Sequence, residues 1–189
     1  LFAMGDGNHS LATAKACYEN LKKEIGEKAL SSKSRYALVE LVNLHSDALE
    51  FEAINRVIFN TDKDKLLNSL KEYYTINKEG NGQEFRVVTD SIDEAWYIEN
   101  PKSNIAVGSI QMFLDDYLKD NVGKIDYIHG EDVTKSLASK DNNVGFIFDA
   151  MAKEDLFKTV ILDGALPRKT FSMGHANDKR YYLEARKIK

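Results

Sequence analysis

Two short segments of the chain concentrate residue types that handle charge and protons. The first is Gly5-Asp6-Gly7-Asn8-His9-Ser10. Gly5 and Gly7 permit positive φ and close backbone approach, and an amphipathic stretch follows at once. The N–H groups and positive dipole end of a helix starting there suit an anion, phosphate above all. Asp6 can hold Mg²⁺ or accept a ligand hydroxyl. His9 can contact phosphate or move a proton near neutral pH. Asn8 and Ser10 can donate to phosphate, and Ser10 or Asn8 can equally cap the helix of an ordinary turn. The pattern is neither a Walker loop nor a dinucleotide fingerprint, since no Gly-Lys-Ser/Thr follows and Ser10 holds the third glycine's place.

The second segment is Leu166-Pro167-Arg168-Lys169-Thr170-Phe171-Ser172-Met173-Gly174-His175. Arg168 can grip a phosphate or carboxylate with its planar fork, and Lys169 adds a point charge. Thr170, Ser172 and His175 add hydrogen-bonding groups. From Pro167 to Lys189 the chain carries seven Lys and Arg against two Asp and Glu, a local net of +5. The chain is −4 overall, so the preceding residues carry −9. That asymmetry favours an anionic small molecule or nucleotide near the C-terminal segment. A loop this polar has little packing reason to exist, whereas Lys179, Arg180, Arg186 and Lys187 read as solvated charges along a final strand.

Arg56 lies in an apolar stretch, four residues after Glu52. It reads equally as a buried cation paired with Glu52 or as a ligand contact. His9, His45, His129 and His175 show no zinc-ligand spacing, and His45 and His129 are expected at strand ends. The single cysteine, Cys17, cannot form an internal disulfide and reads as a small core residue of the first helix. Asp115, Asp116, Asp62 and Asp64 read as solvated helix charges.

These groups must be positioned by the elements around them. Leu1 to Met4 reads as the end of a buried strand. Leu11, Ala14, Tyr18, Leu21 and Ile25 form one helical face, stopped by Gly26. Residues 26–34 read as a polar loop and Tyr36 to Leu44 as a strand. Phe51 to Phe59 fits a strand or a short helix. Thr61, three residues before Asp64, suggests an N-cap, with a stripe from Leu66 to Tyr74 behind it. Phe85–Thr89 and Trp96–Glu99 read as an antiparallel pair, and Ser109 as the cap of a helix bearing Ile110, Phe113, Leu114, Tyr117 and Leu118. Ile125–Ile128 and Phe146–Phe148 read as strands, Glu131–Ser139 as a short helix, Lys153–Leu162 as a helix stopped by Gly164, and Tyr181–Ile188 as a strand. Gly80-Asn81-Gly82 and Asn100-Pro101 mark turns.

With 189 residues, 43% hydrophobic and 30% charged, the sequence suits one α+β domain, residues 1–189, with a mixed or largely antiparallel sheet. Its negative net charge argues against a dedicated nucleic-acid binder. No apolar run approaches the ~20 residues of a membrane span. With a lone thiol and no targeting segment, the cytoplasm is the expected compartment. The chain starts at Leu1 inside an apolar run, so an N-terminal part, with any catalytic base it carries, is expected to be missing.

Three stretches resemble a bacterial family, domain of unknown function 1015, sometimes labelled SpoOJ/ParA/ParB/RepB-like. Gly5 to Ala14 resembles its "DGxHR/S…A" turn-helix. Leu166 to His175, with Asp178-Lys179-Arg180-Tyr181-Tyr182, resembles its C-terminal motif. Phe51-Glu52-Ala53-Ile54-Asn55-Arg56 resembles a middle motif usually read Phe-Glu-Pro-Ile-His-Arg, with Ala53 and Asn55 in place of the Pro and His. Asp6, Gly7 and His9 match the "DGxH" core, while Ser10 stands where many relatives carry Arg. Members are about twice as long as this chain. Through a remote similarity to the ParB/sulfiredoxin superfamily, the resemblance implies nucleotide binding. Two functions then compete. One is a nucleotide-dependent phosphotransferase or nucleotide hydrolase, with Asp6, His9 and Arg168 as catalytic residues and Mg²⁺ on Asp6. The other is a non-catalytic module for an anion or a partner.

Overall fold

The computed structural model describes residues 2–4, 8–37, 39, 41–47 and 49–174, with the backbone alone at 2, 3, 8 and 9. The described residues fall into two compact units, one up to Leu49 and one from Glu50 onward.

In the first unit, β1 (Phe2–Met4) pairs antiparallel with β2 (Leu41–Asn43), Phe2 opposite Asn43. Between them lies α1 (Asn8–Ile25). Gly26, at φ +59, ends it and starts a 3-10 helix over Gly26–Ser31. Lys33–Arg35 forms a second, so 3-10 turns replace the expected loop. Of the strand expected over Tyr36–Leu44, the described residues form β2 at Leu41–Asn43. Two burial expectations are corrected: Met4 is 52% exposed, and Cys17 is an exposed free thiol on α1. Cys17 neighbours the stripe of Leu11, Ala14, Tyr18 and Leu21 without belonging to it, and even that stripe is only half-buried.

The second unit is built on one long strand, β3 (Phe51–Phe59), which resolves the strand-or-helix ambiguity. The chain continues through α2 (Lys63–Tyr73), β4 (Ile76–Asn77), β5 (Gln83–Val88) and β6 (Asp93–Ile98). It then forms α3 (Ala106–Asp120), β7 (Lys124–His129), α4 (Glu131–Ala138) and β8 (Val144–Ile147). The last elements are α5 (Lys153–Asp163) and β9 (Phe171–Met173). The strands form a seven-stranded sheet in the order β4-β6-β5-β8-β3-β7, with β9 also on β3. Every pairing is antiparallel. The fold is therefore α+β, as the mixed pattern of elements predicts.

Alternation along the strands divides the core. Ile58, Phe85, Val87, Trp96, Val144 and Phe146 face Leu66, Leu67 and Leu70 of α2 and Ile110, Phe113, Leu114 and Tyr117 of α3. Val88 and Ile147 turn the other way and meet Ala138 of α4. Gly145 lies on that second face, and a Cβ there would stand 2.7 Å from the Ala138 Cβ. The missing side chain lets α4 approach β8 closely.

Two caps differ from expectation. Asp62, not Thr61, caps α2, its carboxylate accepting from Lys65 N at 3.0 Å. Thr61 is buried one residue earlier, its N–H donating to Asn142 O at 2.9 Å. Ser109 does not cap α3, which opens three residues earlier at Ala106. Ser109 is buried in the helix and donates to Gln83 Oε1 at 2.7 Å. The turn before α3 is held from α5, where Asp163 accepts from Asn104 N at 2.7 Å and Ser103 Oγ at 2.8 Å. Burial alone would raise the Asp163 pKa, but these hydrogen bonds from Asn104 and Ser103 outweigh it and hold the carboxyl below its ordinary value. Among the described residues no helix is long and apolar enough to cross a membrane.

Candidate functional site

The apolar core along β3 ends at Ile58. Two residues back on the same face, Arg56 is fully buried, and a polar network begins. On a strand, residues four apart are separated by roughly 13 Å, so the helical i, i+4 pairing with Glu52 does not apply. Glu52 is instead paired with Nε2 of His129, the last residue of β7. Arg56 spends its donors elsewhere. Its Nε donates to Gln111 Oε1 of α3 at 3.2 Å. Nη1 donates to Lys169 O at 2.8 Å and also to Ile54 O, and Nη2 donates to Arg168 O at 3.0 Å.

Arg56 therefore clamps a loop by its carbonyls. Its guanidinium lies 4.9 Å from the Tyr127 ring centroid and 5.7 Å from that of Phe148, so aromatic faces take the place of a carboxylate. Burial lowers the Arg56 pKa to about 10; Tyr127 and Asp115 counter the drop, while Arg168 adds to it. The side chain stays charged at neutral pH.

The loop so clamped is the second sequence segment. Lys169 sits at φ +56, in the left-handed region that costs a non-glycine residue about 1–2 kcal/mol. Thr170 and Ser172 are buried. Thr170 donates to Pro167 O at 2.7 Å, closing the turn, and Ser172 donates to Gly174 O at 3.4 Å. Met173, Ser172 and Phe171 pair with Phe51, Glu52 and Ala53, and Phe51 stacks on Phe171 with centroids 4.2 Å apart. The segment thus has a packing role, contrary to the expectation from its polarity. The middle and C-terminal motifs meet as adjacent strands.

Arg168 extends from this turn to Asp115 of α3, Nη2 to Oδ1 at 3.2 Å. The same oxygen accepts from Gln111 Nε2 at 2.8 Å. Arg56, Gln111, Asp115 and Arg168 therefore close a ring, completed by the Arg56 bond to the Arg168 carbonyl. The Arg168 and Asp115 side chains are 56% and 50% exposed, so their ion pair is accessible and exchangeable. Asp115 is thus more than a solvated charge, and Asp116 binds Lys119 and the Tyr73 hydroxyl.

On the other face of β3, Asn55 is buried. Its Nδ2 donates to Thr134 Oγ1 at 3.0 Å and to Gly130 O at 3.4 Å. Its Oδ1 accepts from Phe148 N at 3.2 Å. Asn55 thus fastens the start of α4 to the sheet.

Of the first segment, Gly5, Asp6 and Gly7 lie outside the described residues, as do the side chains of Asn8 and His9. Ser10 is exposed in the first turn of α1, not at its cap position. His175 and the Tyr181–Ile188 stretch also lie outside the described residues. Gln111, Asp115, Tyr127 and the Glu52–His129 pair were not among the sequence candidates. Gln111 and Asp115 had one usable signal, polar positions four apart beside an apolar stripe. Among the described residues no group of three or more His, Cys, Asp or Glu is placed to hold a metal ion.

An antiparallel α+β protein whose longest strand buries an arginine to clamp a cationic turn is the class defined by fold and site. Over residues 1–117 the chain matches a family model described as "Protein of unknown function (DUF1015)", and it belongs to that family. The match includes the turn-helix and the middle motif and stops before the 166–175 segment. Neither a curated protein nor a solved structure matches the chain.

Proposed function

We propose that this chain binds the phosphate of a small molecule, foremost a nucleotide, at the turn carrying Arg168 and Lys169. The observation that carries this is the buried Arg56 clamp. A fully buried cation is spent on two loop carbonyls, and the loop keeps a left-handed lysine. Backbone strain held by such over-determined packing is concentrated at functional sites. The clamp leaves the Arg168 fork and the Lys169 ammonium for a ligand, in a geometry fixed beforehand. The remote relation to ParB-like nucleotide binders and the net +5 of the C-terminal stretch favour the same ligand class. In the fuller form of this reading, Asp6 orients Mg²⁺ and His9 contacts phosphate in a cytoplasmic phosphotransferase or nucleotide hydrolase.

The test is thermal unfolding with Mg²⁺ plus ATP, ADP, CTP or inorganic phosphate, comparing wild type with Arg168→Ala and Asp6→Ala. A ligand at 100 times its Kd adds about 2.7 kcal/mol. A shift lost in Arg168→Ala supports the binding site, and loss in Asp6→Ala as well supports the fuller form. No shift with any of them overturns the proposal.

A further inference from the structure

The Tyr127 hydroxyl is buried and has no hydrogen-bond partner among the described residues. Buried polar groups are almost always satisfied, so such a group calls for an explanation. Its surroundings are cationic: the ring lies 4.9 Å from the Arg56 guanidinium and 5.9 Å from that of Arg168. Arg56 has bonds from Nε, Nη1 and Nη2 to protein oxygens, whereas Arg168 makes one long, half-exposed bond to Asp115.

Resting on the phosphate-binding reading above, we infer that Tyr127 is a ligand-binding residue. Its hydroxyl and the Arg168 guanidinium together form the seat for one phosphate group, and the Asp115 carboxylate fills that seat in the free protein. Asp115 suits the role of internal stand-in. It presents an anionic oxygen to Arg168, and Gln111, itself bonded to Arg56, steadies it. An exposed ion pair is worth only about 0–1 kcal/mol, so a phosphate dianion can displace it readily. The incoming phosphate brings acceptor oxygens for both Arg168 and the tyrosine hydroxyl.

The full chain would be titrated with inorganic phosphate and with Mg²⁺-ATP by calorimetry. Tyr127→Phe keeps the ring under both guanidinium groups and removes only the hydroxyl. It is expected to weaken binding about tenfold or more, the scale of a hydrogen bond to a charged group. Asp115→Asn removes the competing charge and is expected to tighten binding about two- to fivefold. Arg168→Ala should abolish it. If Arg168→Ala abolishes binding while Tyr127→Phe and Asp115→Asn both match wild type, the seat assigned here is wrong and the broader reading stands. If neither wild type nor Asp115→Asn binds either ligand at millimolar concentration, the broader reading falls and takes this seat with it. Thermal melts of Tyr127→Phe separate loss of the hydroxyl from loss of the fold, and Asp115→Asn tests the seat without touching the core.

Discussion

Asn55 and Arg56 are adjacent on β3, both buried, and turned to opposite faces of the sheet. Asn55, a neutral amide, fastens α4 with two hydrogen bonds and accepts a third from Phe148 N just after β8. Arg56 fastens the 168–169 turn with a cation that has lost its water. A neutral amide is the cheaper fastener, because burying a charge carries a far larger desolvation cost. The face that uses the costlier one carries the strained lysine and the exchangeable ion pair. The other face carries a close-packed helix over Gly145. Neighbouring residues in one strand thus divide scaffold from candidate site.

The comparison breaks first at Arg56. Arg56→Met should cost about 3 kcal/mol in urea unfolding, because two loop carbonyls and Gln111 lose their donor. Asn55→Ala should cost about 2 kcal/mol, leaving Phe148 N without its acceptor, and should loosen α4 in hydrogen exchange while the 168–170 turn stays protected. If the two substitutions loosen the same element, the division between faces is wrong.

Alkaline pH sharpens the contrast. Burial lowers the Arg56 pKa to about 10 in the folded chain, well below its value in the unfolded one. Between those values the unfolded state binds more protons, so stability due to Arg56 rises with pH. Wild type should therefore gain on Arg56→Met as pH rises above about 10, and keep a constant lead over Asn55→Ala. Matched urea curves at pH 8 and pH 11 read both gaps.

A smaller effect of opposite sign is expected at Lys169. Lys169→Gly relieves the left-handed strain and should raise stability by about 0.5–1 kcal/mol while weakening phosphate binding. Smallest of all, Arg168→Ala should change stability by less than about 0.5 kcal/mol, since its pair with Asp115 is half exposed.

The helices with wide apolar stripes, α2 and α3, were legible in the sequence, as were the short helix α4, the antiparallel pair β5–β6 and the Gly164 stop. β9 was not. Phe171-Ser172-Met173 carries no strand pattern, and its extended conformation comes from pairing with β3, a partner more than a hundred residues away. Ser109 misled because a serine before an apolar run signals a cap, while here a buried bond to Gln83 draws it inside the helix. For the site, residue types pointed to Arg168 and Lys169 and left Arg56 undecided. What settles Arg56 is that Gln111, Tyr127 and two carbonyls converge on it from three distant parts of the chain. No spacing rule brings those parts together.

Arg56 holds its turn through main-chain carbonyls, a handle every residue possesses. The side chains at 168 and 169 can therefore be exchanged without undoing the hold. The chemistry presented there can change by single substitutions while the strand beneath stays as it is. Arg56 is the residue whose loss such change would not tolerate.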